Sequence, residues 1–517
     1  MQKARLVMAL ALGVVFGGLA FATDPGGAFT GGIKDLPLAA PGQPTNAELG
    51  QLLGQGRVSI NIVWTIIAAF LVMFMQAGFA LAETGFTRAK NAGHTMMMNL
   101  LVYAIGIIGF WMVGFAFQMG ASGGSAALGG GANLSSGWGI TIGDKFFGLI
   151  GLSGFGLAGS AYDVPTFVLF FFHLVFMDTA LTIPTGALAE RWKLTAFAAY
   201  AVVASMVIYP IYANWVWGGG WLSSLGKNLG LGNGFVDFAG SSVVHLTGGV
   251  MALTGLLVLG PRIGKYGRDG SIRNIPGHNL PMAVLGVFIL AFGWFAFNAG
   301  STLAGTDLRI ATVVVSAMLC SAAGMMVAAL YGAALTGKLD IGMTANGMLA
   351  GLVANTACGA FIGAPASVVV GAVAGLIFVA ASLFIERSLK LDDPVSAIAV
   401  HGVCGIWGLL CVGIFADGTY GSGLNGVSGT VTGILYGGYG QFAAQLIGIV
   451  ANIVWVGLTS YVLFRVIDAT IGMRVKPHEE IEGLDYHQLA QPAYSDPALE
   501  GDAGVTEPPQ RQLVGRR

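Results

Sequence analysis

The sequence predicts an all-α integral membrane protein with eleven transmembrane helices, arranged as two inverted five-helix repeats plus a long eleventh helix. Three observations carry that reading. The 517 residues are 55% hydrophobic and 9% charged, whereas soluble domains carry roughly 25% charged residues. Apolar segments of about 20 residues, the length that crosses a bilayer as helix, recur along the chain. An Asp-x7-His feature appears twice, in the fifth and the tenth of these segments.

The first 22 residues, MQKARLVMALALGVVFGGLAFA, combine Lys3 and Arg5, an apolar core and Ala20-Phe21-Ala22. A basic start, an apolar stretch and an A-x-A site predict a secretory signal peptide. Residues 23–56, rich in Pro and Gly, follow as a periplasmic leader. The membrane domain is expected over 57–471, with spans near 59–82, 95–118, 164–188, 195–216, 238–260, 281–301, 310–334, 341–362, 367–386, 396–416 and 441–468. Alternate loops hold eleven basic residues: Arg88, Lys90, Arg191, Lys193, Arg262, Lys265, Arg268, Arg273, Lys338, Arg387 and Lys390. The other loops hold three, Lys145, Lys227 and Arg309. Positive charge accumulates on the cytoplasmic side, so the N-terminus is expected outside and the C-terminus inside the cytoplasmic (inner) membrane. The signal peptide predicts the same orientation. The Gly-rich segment 119–160 is then an external loop, with a re-entrant or interfacial piece around Phe146–Leu157. Residues 472–517 are charged and Pro-rich and form a cytoplasmic tail, part of it disordered.

The two Asp-x7-His features are VDFAGSSVVH, with Asp237 and His245, and DDPVSAIAVH, with Asp393 and His401. Five spans per copy is an odd number, so duplicated copies must run in opposite directions. Inverted repeats place the functional path at their interface near the membrane midplane. The two histidines would then face each other. A neutral imidazole has one donor and one acceptor nitrogen, so the pair can satisfy each other and leave the outer nitrogens to a pore. Two other readings stand beside this: unrelated buried polar residues, and metal or haem ligation. Cys320, Cys358, Cys404 and Cys411 all sit in apolar stretches and read as small core residues. A net charge of −1 gives no hint of nucleic acid.

Aromatic residues gather at the external ends of the spans. Trp215 and Trp217 end span four, Phe172 and Phe176 lie in span three, and GWFAFNAGST places Trp294, Phe297 and Ser301 in span six. Aromatic faces attract cations and a serine hydroxyl can accept a hydrogen bond from one. An aromatic vestibule above an apolar channel with two imidazoles suits a small cation that can lose its charge, and ammonium is such a cation.

The stretches MQAGFALAETGFTRAKN, VWGGGWL, VDFAGSSVVHLTGG, GWFAFNAGST, DDPVSAIAVHGVCGIWG and GMRVKPHEEIEGLD together resemble the ammonium transporter (Amt/Mep/Rh) family, in its bacterial Amt form. The resemblance runs from about residue 59 to 485. It implies eleven helices with a pore in each subunit of a homotrimer. By resemblance, Trp217, Ser301 and Phe176 form an outer ammonium site, and Phe176 and Phe297 are stacked gate residues. Asp237 favours cation entry and orders nearby backbone without touching the ion. His245 and His401 line the pore, with Trp294 and Thr356 as lesser pore positions.

The function expected is movement of ammonium, deprotonated to ammonia inside the pore, for nitrogen uptake. A sensor of the same fold, signalling through its tail, is the alternative. A PII-type regulatory protein at the tail and membrane lipid are the expected partners. No cofactor and no enzymatic activity are expected. Asp178 is expected to bond a hydroxyl such as Thr182, and His173 lies near the outer gate without an assigned role. Glu83 and Glu190 are expected to pair with Arg88 and Arg191.

Overall fold

The computed structural model describes residues 45–130, 133–421, 423, 427 and 429–494. The expected signal peptide, residues 23–44 of the leader and the end of the tail lie outside the described residues. Eleven helical stretches coincide with the expected spans: α1 (Asn46–Phe86), α2 (Ala89–Met119), α3 (Val164–Ala187), α4 (Leu194–Trp217), α5 (Ser241–Leu259), α6 (Leu280–Gly300), α7 (Ile310–Thr336), α8 (Ile341–Cys358), α9 (Ala364–Arg387), α10 (Ile398–Phe415) and α11 (Tyr439–Thr470). Ten of these are long and apolar enough to cross a membrane. The other is α8, which is as long as α10 but less apolar because it carries Thr344, Asn346, Asn355 and Thr356.

Two elements go beyond the sequence reading. The first helix begins at Asn46 and not near 59, so the last part of the expected leader is helical. Residues 146–157 form no re-entrant helix. Instead β1 (Gly137–Ile142) and β2 (Lys145–Gly151) pair as an antiparallel hairpin. The segments WGITI and KFFGLI are rich in β-branched and aromatic residues, and Gly143 between them sits at φ 65°, a conformation that glycine adopts freely.

Helix ends follow local chemistry. Asn279 Oδ1 accepts from Met282 N at 3.0 Å at the start of α6, and Asp340 Oδ1 accepts from Met343 N at 2.7 Å at the start of α8. Such side chains satisfy the orphan N–H groups of a first turn. Gly337, at φ 82°, ends α7.

The packing pattern repeats with a shift of five helices. Helix α3 packs on α1, α2 and α5, and α8 packs on α6, α7 and α10. Likewise α2 packs on α4, and α7 on α9. The halves meet where α1 lies along α6 and where α5 crosses α10. That second crossing is close. A Cβ on Gly249 would lie 2.4 Å from Gly402 N, so only glycine lets the backbones approach this far.

One face of the bundle carries the hairpin and the ends of α4 and α6; here it is called the hairpin face. The opposite face carries the loops after α1, α3, α5 and α9. The tail is folded against it as α12 (Pro477–Glu482) and α13 (Leu484–Gln488). Asp485 accepts from Gly93 N at 2.9 Å and His94 N at 2.8 Å, and Leu484 N donates to Asn91 Oδ1 at 2.9 Å.

A buried charge cluster fixes the same face. Arg262 donates to Asp392 through Nε and Nη2, both at 2.8 Å, and to Glu190 Oε1 at 2.7 Å. Arg88 pairs with Glu190 as well. The expected Glu190–Arg191 pair is corrected: Arg191 donates to the backbone oxygens of Ala189 and Asp392, each at 2.7 Å. Burial lowers the Arg191 guanidinium to about 10. For Asp392, burial pushes the carboxyl up, but the Arg262 hydrogen bonds and the charges of Arg191 and Arg262 outweigh it and hold it below its ordinary range.

Candidate functional site

The site follows from how α5 and α10 begin. Each opens with a wide π-helical turn, Ser241–Leu246 and Ile398–Val403, and each turn carries its histidine. The aspartate eight residues earlier binds the amino end of that turn. Asp237 Oδ1 accepts from Gly240 N at 3.1 Å, and its Oδ2 accepts from Ser242 N and Val243 N, both at 2.9 Å. Asp393 accepts from Ile398 N at 2.8 Å and from Val395 N at 3.3 Å. The repeated spacing therefore has a local cause. The carboxylate satisfies orphan N–H groups of the helix start, and the histidine lies just over one turn inside.

The two histidines meet across the α5–α10 crossing. Their Nδ1 atoms are 3.1 Å apart and their rings 5.2 Å apart. One nitrogen must donate and the other accept. Each Nδ1 is thereby occupied by the other histidine. His245 Nε2 is buried and has no hydrogen-bond partner among the described residues.

Aromatic rings continue this pair in both directions. Phe297 stacks on His245 at 5.5 Å, and Phe176 stacks on Phe297 at 4.0 Å. Phe172 lies 4.6 Å from Phe176. On the other side Phe79 lies 6.2 Å from His401. Trp294 stacks on His245 at 5.0 Å and donates through Nε1 to Thr356 Oγ1 at 2.9 Å. Phe176, Phe297 and Trp294 are completely buried.

A cavity lies at each end of this line. The one on the hairpin face has a volume of about 510 Å³ and is lined by Phe172, His173, Phe176, Trp217 and Ser301, among others. Ser301 Oγ donates to Phe297 O at 2.8 Å, which leaves its lone pairs available to accept. The cavity on the tail face holds about 30 Å³ and is lined by Phe79, Glu83, Asn346 and His401, among others.

The sequence-derived residues thus fall into one continuous arrangement, with two qualifications. Asp237 lines neither cavity. It reaches the hairpin-face cavity through its backbone oxygen, which accepts from Trp217 Nε1 at 2.7 Å. Thr356 likewise touches the line through Trp294.

Asp178 and Glu83 differ from expectation, whereas His173 lies beside the Phe172–Phe176 pair, as expected. Thr182 donates to the backbone oxygen of Asp178 at 2.9 Å and to Gln76 Oε1 at 2.9 Å, while Asp178 Oδ1 has no partner among the described residues. His173 lines the hairpin-face cavity, with Nδ1 3.0 Å from Gln118 Nε2. Glu83 makes no ion pair among the described residues. It accepts from Asn99 Nδ2 at 2.7 Å and from Thr185 Oγ1 at 2.9 and 2.7 Å. Phe79 and Glu83 were missed as site residues, although GFALAETG echoes GWFAFNAG in the sixth span.

Comparison with known proteins agrees with this geometry. The sequence profile of the Ammonium Transporter Family matches residues 63–494. Ammonium transporter Amt2 of Archaeoglobus fulgidus is 47% identical over 461 residues, covering 89% of this chain and 93% of the relative. Ammonium transporter Amt1 of Haloferax mediterranei is 35% identical over 457 residues, covering 86% and 81%. A solved structure titled Sensor Amt Protein superposes with a TM-score of 0.73 at 36% identity, covering 84% of this chain and all of that one. Candida albicans Mep2 gives 0.68 at 26% identity, covering 81% and 87%. A helical membrane bundle with a five-helix repeat, a buried histidine pair at the crossing and these similarities lead to one conclusion: the chain belongs to the ammonium transporter family.

Proposed function

We propose that the protein moves ammonium across the cytoplasmic membrane, taking it up from outside for nitrogen nutrition. The carrying observation is the aromatic and imidazole line from Phe176 through Phe297, His245 and His401, which joins a wide outer cavity to a small inner one. Ammonium sheds water at Trp217, Phe176 and Ser301, where ring faces and a hydroxyl replace part of its hydration. Beyond Phe176 and Phe297 a bare cation meets a large desolvation cost. Loss of the proton removes most of that cost. Ammonia then passes His245 and His401, while the proton crosses separately by a histidine or water route, so that transport is electrogenic.

Positive loops on the tail face support an N-out, C-in orientation, with residues 1–22 as signal peptide, 23–56 as leader, 57–471 as membrane domain and 472–517 as cytoplasmic tail. A homotrimer, surrounding lipid and a PII-type protein on the tail face are proposed from the family resemblance. The sensor reading is not favoured, because the curated relatives reported above are named transporters. Transport, not an enzymatic reaction, is the activity supported.

The test is current from purified protein in liposomes after an ammonium jump and then a potassium jump, for the wild type and for His245→Ala. Ammonium-specific current altered by the substitution supports the proposal. Absence of ammonium-specific current in the wild type refutes electrogenic transport.

A further inference from the structure

Glu83 combines three properties. The residue is 4% exposed, it has no cationic partner within ion-pair distance among the described residues, and it lines the cavity that holds His401. A buried carboxylate without a counter-charge is costly unless it binds a proton or a cation. Its hydrogen bonds from Asn99 and Thr185 hold it in place without neutralising it. The rest of that lining is largely apolar, and Phe79 and Phe86 present aromatic rings.

The repeat explains why a polar group stands there. The segments GFALAETG (78–85) and GWFAFNAG (293–300) match at both terminal glycines and place Glu83 opposite Asn298. Phe79 then corresponds to Trp294, and each touches the histidine of its own side: Phe79 meets His401 and Trp294 meets His245. The surrounding helices correspond as well, although Asn298 donates where Glu83 accepts. Glu83 is held by Asn99 of α2 and Thr185 of α3. Asn298 is held by Asn355 of α8, which in turn receives support from Ser316 of α7. Helices α7 and α8 are the repeat counterparts of α2 and α3. Three residues beyond Asn298 stands Ser301, in the outer cavity. The inner copy has a carboxylate where the outer copy has an amide.

The geometry points to a second cation site on the tail face, in which Glu83 holds ammonium as it re-forms at the inner end of the pore. This rests on the transport reading above. Ammonia leaving His401 enters a cavity of about 30 Å³, room enough for one water-sized molecule. There its lone pair takes the proton that has crossed the membrane, forming a fourth N–H bond, and the N–H groups of the ammonium donate to the Glu83 carboxylate. No other reactant is needed, since ammonia plus that proton equals the ammonium taken up outside. Phe79 and Phe86 add ring faces for the cation, which repeats the use of Phe176 and Trp217 on the outer side.

Two measurements on the full-length protein in liposomes test this, with His245→Ala as the control for the transport reading itself. The first is ammonium-jump current in Glu83→Gln, which keeps the shape and the acceptor for Asn99 but removes the charge. Maximal current should fall about tenfold or more, the factor that accompanies loss of a charge-assisted hydrogen bond, while the external half-saturating concentration stays unchanged. Glu83→Asp should recover part of the current. The second is infrared difference spectroscopy of the carboxyl region, ammonium against potassium. It should show a band in the wild type that is absent in Glu83→Gln. If wild-type ammonium current is present and sensitive to His245→Ala, yet Glu83→Gln retains full current, the inner site is refuted while transport stands. A wild type without an ammonium-dependent carboxyl band refutes the site even where Glu83→Gln fails to fold.

Discussion

Replacing Asp237 separates a structural carboxylate from one that contacts the ion. The wild-type carboxylate accepts three buried backbone N–H groups, from Gly240, Ser242 and Val243, at 2.9–3.1 Å. In Asp237→Ala all three lose their acceptor. At about 1–2 kcal/mol for each buried donor left unsatisfied, the loss comes to about 3–6 kcal/mol. In Asp237→Asn the amide oxygen can keep the Ser242 and Val243 bonds and only the Gly240 bond is lost, about 1–2 kcal/mol. The π-helical turn that carries His245 hangs from these bonds, so the Ala variant should also lose its ammonium current. The Asn variant should keep a reduced one. Thermal unfolding in detergent gives the stability order, and ammonium-jump current on the folded fraction gives the second reading. If Asp237→Asn matches the wild type in stability yet is as inactive as Asp237→Ala, the charge itself acts on the cation and the capping account is wrong.

Four further outcomes are expected. Arg262→Ala leaves Glu190 and Asp392 buried with weakened compensation and should lower stability by about 3–5 kcal/mol, read by thermal unfolding. Asp392 has a folded pKa below its unfolded value of about 3.9, so its contribution is complete above that pH and is lost as pH falls through the lower folded value. Acid unfolding should therefore be less steep in Asp392→Asn, as followed by intrinsic fluorescence. Gly249→Ala places a methyl 2.4 Å from Gly402 N and should cost about 1–3 kcal/mol by overpacking, with ammonium current lost because the histidine crossing is forced apart. Asp485→Ala removes the acceptor for Gly93 N and His94 N, and limited proteolysis after Arg474 should accelerate while the membrane helices stay protected.

Length and apolarity of a segment are properties of consecutive residues, so the positions of the helices were legible in the sequence. The spans near 281–301 and 367–386 match Leu280–Gly300 and Ala364–Arg387 closely. The Asp-x7-His echo was legible for the same reason, because a capping carboxylate and the turn it caps lie within ten residues of each other. The early start of α1 was missed because NAELGQLLGQGR is too polar to read as a membrane segment, although it is well able to continue a helix.

What a polar side chain meets depends on how helices cross and rotate, and one sequence does not contain that. Glu190 could reach an arginine from its own loop or from another, and the fold gives it Arg88 and Arg262 while Arg191 turns to backbone oxygens. Glu83 stands five residues before Arg88, yet it faces away from it, toward Asn99, Thr185 and the tail-face cavity. The hairpin was hidden because Gly-rich external segments have no helical period to contradict and too few residues to show a strand one. The sequence by itself determined a membrane bundle, its repeat and the residues that form the aromatic and histidine line. Only the tertiary structure brought the Nδ1 atoms of His245 and His401 to 3.1 Å, because that distance is set by the glycine crossing of two helices far apart in the chain.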